Sequence, residues 1–73
     1  MPQSLSMEQQ IELARLLLLF NLSTEKTEEI VVAIDNSEKL RLFLDKLSER
    51  NYEATPEEVE ELSIEAELEA KYG

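Results

Sequence analysis

Carboxylates are the only chemically versatile side chains this sequence holds in quantity. Asp and Glu number 17 against 7 Lys and Arg. Four of them, Glu57, Glu61, Glu65 and Glu69, recur at every fourth residue, which places them along one side of a helix. Carboxylates can do three kinds of work. As an acid–base pair they need burial, or a crowded pocket that moves one pKa. A run of Glu on an exposed helix face supplies neither. As ligands of a di-metal centre in a helical bundle they work with Glu-x-x-His, and the chain has no His. As a calcium loop they need spaced Asp or Asn around a central Gly. Asp35-Asn36-Ser37-Glu38 has neither the spacing nor the Gly.

The other chemistries are excluded by composition. There is no Cys, hence no thiol nucleophile and no zinc site of the usual kind. The single Gly is the last residue, so no glycine-rich loop can cradle a phosphate. Ser and Thr fall mostly where helices should start, and capping accounts for them. No catalytic residue, metal or cofactor is expected. A net charge of −10 argues against nucleic acid, whose affinity comes from Lys and Arg on phosphate. It argues equally against anionic lipid. No apolar run is longer than Leu16 to Phe20, which is too short to span a bilayer. The segment Met1-Pro2-Gln3-Ser4 has no basic side chain, so no signal peptide is expected and the cytoplasm is the expected location.

The elements that must position these carboxylates are helices. Apolar residues recur with helical period in four windows, about 7–20, 24–34, 38–50 and 56–71. Ser6 with Gln9 reads as a capping box. Ser23 or Thr24 caps the second helix and Asn36 or Ser37 the third. Thr55-Pro56-Glu57-Glu58 supplies a cap and a Pro in the first turn of the fourth. Asn21, Asn36 and Asn51, fifteen residues apart, read as helix stops in the left-handed conformation. With short connections, consecutive helices should be near neighbours. The expected fold is all-α, a single domain forming a compact bundle of three to four short helices.

Each helix can be assigned a core face. In the first, Met7, Ile11, Ala14 and Leu18 form the expected stripe, widened by Leu13, Leu17 and Phe20, with Glu8, Glu12 and Arg15 on the polar side. Leu16 and Leu19 fall toward that polar side, so the last turn is apolar all round. Either this turn sits at the centre of the bundle, or Leu16 and Leu19 meet another chain. The second helix offers Ile30, Ala33 and Ile34 after polar first turns. The third offers Leu40, Phe43, Leu44 and Leu47, with Leu42 opposite. The fourth has two stripes: Val59, Leu62, Ala66 and Ala70 with Ser63 inward, and Ile64, Leu68 and Tyr72 on the far side. Either the fourth helix is sandwiched, or its far stripe folds over Leu16 and Leu19, or that stripe forms an interface.

Charge is concentrated beside that stripe. Residues 1–50 carry a net −3 and residues 51–73 a net −7. Like charges four residues apart cost roughly 0.2–0.5 kcal/mol per pair in an isolated helix. The ridge is either a solvated face or a docking surface on which apolar anchors supply affinity and carboxylates steer a basic partner.

Two families share features with the chain. An acidic four-helix chain of this length resembles an acyl carrier protein, a family that bears its prosthetic group on the Ser of Asp-Ser-Leu. Here the nearest match is Asn21-Leu22-Ser23, in the wrong order, and the family's long first loop is missing. Leu5-Ser6-Met7-Glu8-Gln9-Gln10 resembles the opening of the small adaptors that promote phycobilisome degradation. That likeness covers six residues of 73, and neither likeness assigns a function.

The reading that emerges is a small acidic, non-enzymatic protein–protein interaction module, self-associating as a homodimer or docking a protein with a basic surface. Its partner-binding residues are Leu16, Leu19, Glu57, Glu61, Ile64, Glu65, Leu68, Glu69 and Tyr72. The alternative is an acidic inhibitor or antitoxin-like protein, or a nucleic-acid mimic, that blocks a basic site. A carrier or minor enzyme subunit is the third reading.

Overall fold

In the computed structural model, which describes residues 3–73, four helices follow one another: α1 (Met7–Leu19), α2 (Thr24–Ala33), α3 (Ser37–Glu49) and α4 (Pro56–Tyr72). Met1 and Pro2 lie outside the described residues. Each helix starts at a side-chain cap. The Ser6 hydroxyl accepts the Gln9 backbone N–H at 3.1 Å, and the Gln9 side chain accepts the Ser6 N–H at 2.9 Å. Thr55 and Glu58 make the same reciprocal pair at the start of α4. Ser23 caps α2 and Asn36 caps α3, each accepting the N–H three residues on. These bonds satisfy donors that have no partner inside the helix.

The stops follow a different rule at one of the three Asn positions. Asn21 and Asn51 adopt φ of 64° and 56° and close Schellman turns. After α1, the Leu22 N–H reaches the Leu17 carbonyl and the Asn21 N–H reaches that of Leu18. After α3, the Tyr52 N–H reaches Leu47 and the Asn51 N–H reaches Ser48. Asn36 does not terminate α2. It is extended, with φ −146°, and serves α3 as its cap. Its backbone forms an isolated antiparallel bridge with Ser4, and the Ser37 N–H donates to the Gln3 carbonyl at 2.9 Å. The segment before α1 thus ties down the α2–α3 connection and drops Leu5 into the core.

The helices pack α1 on α2, α2 on α4 and α4 on α3, with α1 and α3 bordering a shared cleft. The most extensive pairing is α3 with α4, and α4 also packs on α2. Chain neighbours α2 and α3 pack on α4 rather than extensively on each other. The sequence of α4 explains this. Its inward face is Val59, Leu62, Ser63 and Ala66, all buried, and small side chains let two helices approach it closely. The Ser63 hydroxyl donates to the Glu60 carbonyl at 2.6 Å, so its burial leaves no orphan polar group. The core also includes Leu13, Leu17, Leu22, Ile30, Ile34, Phe43 and Leu47. The radius of gyration, 11.1 Å, matches the about 11 Å expected of a folded chain this long. None of the helices is long and apolar enough to cross a membrane.

Three core assignments are corrected. On α1, Leu13 and Leu17 face the core, while Met7, Ile11 and Leu18 are exposed. The helix is rotated relative to the expected stripe, so that Leu13 and Leu17, with Leu16 and Phe20 beside them, meet the core. Consequently α1 keeps one face in solvent, and its last turn is not enclosed on all sides. On α3, Leu42 packs against the core rather than standing opposite it. On α2, Thr27 is buried although it belongs to the polar first turns, and its hydroxyl has no hydrogen-bond partner among the described residues.

Candidate functional site

The outer face of α4 is built by helical arithmetic. Four residues turn a helix through about 400°, so a row of such steps drifts about 40° per step around the axis. Ile64, Leu68 and Tyr72 drift across the side opposite Val59 and Ala66 and stay in solvent, between 50% and 75% exposed. They do not fold over Leu16 and Leu19. Glu57, Glu61 and Glu65 start on the same outer side and interleave with this stripe; all three are exposed.

Drift takes the fourth member of the row elsewhere. Glu69 reaches the α3 side of the helix, where its carboxylate pairs with the Lys46 ammonium at 2.6 Å. The expectation of an unneutralised ridge is therefore corrected at Glu69. Hydrogen bonding to Glu69 holds the Lys46 ammonium above its ordinary value of 10.5; its partial burial opposes this, and the Glu69 charge adds to it. Two other α4 carboxylates are tied to the body of the protein. Glu58 pairs with Arg50 at 2.6 Å and Glu60 with Lys26 at 3.2 Å. The N–H and hydroxyl of Thr55, then Arg50, keep the Glu58 carboxyl below its ordinary 4.5. Glu57, Glu61 and Glu65 make no ion pair among the described residues. Lys71 does not reach Glu67 to pair with it; its ammonium lies 5.4 Å from the Tyr72 ring centroid.

This division gives α4 two electrostatic sides. Where the helix meets α2 and α3, Glu58, Glu60 and Glu69 are matched with cations and act as fasteners. On the outer side, Glu57, Glu61 and Glu65 lie beside three large apolar side chains and make no ion pair among the described residues, though the Glu65 charge helps hold the Lys46 ammonium up. Among the described residues no three acidic side chains converge to hold a metal ion.

Leu16 and Leu19 separate. Leu19 is exposed, at 79%. Leu16 is half-buried on the floor of a cleft of about 310 Å³ between α1 and α3, with Leu13, Leu40 and Leu44 and with Gln9 and Glu12 at its edge. The surface residues that the sequence reading placed in the core are Met7, Ile11 and Leu18. They are spaced in steps of four, three and four through Ala14, the spacing of a coiled-coil seam.

No protein-family model, curated protein or solved structure matches the chain. The functional reading rests on this surface.

Proposed function

We propose that the protein is a non-enzymatic protein–protein interaction module whose outer α4 face docks a partner that presents apolar side chains flanked by Lys or Arg. The observation that carries the reading is the interleaving of Ile64, Leu68 and Tyr72 with the unpaired Glu57, Glu61 and Glu65. The three apolar residues are worth more in a dry interface than in water, and two of them are of the size that anchors helix-in-groove contacts. The carboxylates raise the encounter rate with a basic surface and disfavour acidic ones. The buried faces of α4 are already committed to α2 and α3, so docking needs no rearrangement of the bundle.

The test uses a synthetic amphipathic peptide with Leu on one face and Lys on the flanks. Binding is followed by calorimetry with the wild type, with Ile64→Ser plus Leu68→Ser, and with Glu57→Gln plus Glu61→Gln plus Glu65→Gln. The apolar double variant should lose at least ten-fold in affinity. The Gln triple variant should lose salt dependence more than it loses affinity at high salt. Binding that ignores the Ser substitutions and disappears with salt would overturn the reading and favour a charge mimic that blocks a basic site.

A further inference from the structure

The exposed seam of α1 is a second unpartnered surface, and its occupant is specified by its own charges. Met7, Ile11, Ala14 and Leu18 follow the 4–3–4 spacing of alternating d and a positions. The three large residues are 45–71% exposed. Beside the seam, Glu8 and Arg15 both occupy the following e position, on one flank. Neither makes an ion pair within the protomer among the described residues. Arg15 is thus an exposed cation in an acidic protein that uses Lys26, Lys39, Arg41, Lys46 and Arg50 internally.

We infer that α1 pairs with a second copy of itself, antiparallel, across a two-fold axis between Glu12 and Leu13. The axis follows from the seam. Pairing residues whose numbers sum to 25 sets Ile11 against the partner's Ala14 and Met7 against the partner's Leu18, each an a residue facing a d residue. In an antiparallel pair e flanks face e flanks, so each Arg15 meets the partner's Glu8 and the ion pair forms twice. A parallel pair would instead set the e flank against the g flank, which holds Gln10 and the core residue Leu17 and has no charge to offer. Antiparallel pairing also brings the helix dipoles together head to tail. The α4 face is the wrong place for a second copy, because it would oppose like charges; α1 itself carries only Glu8, Glu12 and Arg15.

The size of the contact sets its strength. A helix of 13 residues is about 20 Å long and about 10 Å wide, a footprint of about 200 Å² per protomer, well below the about 800 Å² per partner of a standard specific interface. The dimer is therefore weak and transient, and forms only at high protein concentration.

Sedimentation equilibrium from 10 µM to 1 mM should show mass rising toward twice the protomer. Arg15→Glu should weaken association at least ten-fold, and adding Glu8→Arg to it should restore the wild-type value. Because the chain has no Cys, direction is read by oxidative cross-linking. A mixture of Met7→Cys and Leu18→Cys proteins should form the mixed disulfide in preference to either homodimer. Ile64→Ser plus Leu68→Ser should leave association unchanged, which separates this interface from the one on α4. A protomer mass throughout the range, an Arg15→Glu variant that associates like the wild type, or Met7→Cys cross-linking mainly to itself would each overturn the inference.

Discussion

Truncating two consecutive leucines tests the rotation of α1 directly. Leu17 is 0% exposed and Leu18 is 52% exposed. Leu17→Ala leaves a hole in the core and also loosens the Schellman turn, since Leu22, the residue that closes that turn onto the Leu17 carbonyl, belongs to the same core cluster. Buried Leu→Ala substitutions cost about 2–5 kcal/mol. A domain of this length has a total stability of about 4–11 kcal/mol, so Leu17→Ala removes a large part of it, about half at the middle of both ranges. For a small domain each kcal/mol shifts Tm by about 4–8 °C, and the expected drop is about 8–40 °C. Leu18→Ala forfeits only about half the burial of a Leu, about 1 kcal/mol, and recovers a little from the higher helix propensity of Ala. Its Tm should fall by no more than about 8 °C. Thermal circular dichroism at 10 µM, with urea denaturation for ΔG, reads both variants as protomers. If Leu18→Ala proves the more damaging of the two, the Met7–Leu18 row faces the core and the α1 seam does not exist as a surface.

Three further outcomes are expected. Thr27→Val should leave stability unchanged or raise it by about 1 kcal/mol, because the buried hydroxyl it removes has no hydrogen-bond partner among the described residues; urea denaturation measures this, and a loss of more than 1 kcal/mol would reveal a partner for that hydroxyl. Tyr52 holds φ at 57°, a conformation that strains a bulky residue, and its side chain is largely exposed; Tyr52→Gly should raise Tm by a few degrees. The pH profile of stability should fall at both ends. The lowered pKa of Glu58 contributes stability above its ordinary 4.5 that is lost as pH falls through the folded value. The raised pKa values of Lys46 and Lys26 contribute stability below 10.5 that is lost as pH rises through theirs. Glu58→Gln should flatten the acid limb and leave the alkaline limb in place.

The local architecture was legible because its causes are local. A cap and the N–H it satisfies lie three residues apart, so Ser6, Ser23 and Thr55 announced three helix starts. Each observed boundary falls within one residue of its sequence reading. The inward and outward stripes of α4 could be told apart because one is made of small residues and the other is interleaved with Glu.

Between two comparable apolar stripes, the sequence of α1 could not decide. Which one turns inward depends on what α2 and α3 present, and those surfaces are distant in the chain. Asn36 was ambiguous for the same reason: an Asn between helices suits a stop or a start, and the pairing of Ser4 with it settled the matter. Glu69 looked identical to Glu57, Glu61 and Glu65 until α3 brought Lys46 alongside. Composition and period thus determined that this is an acidic bundle of four capped helices. Only packing decided which leucines are structure and which are surface, because burial belongs to pairs of elements and a single helix carries no record of its neighbour.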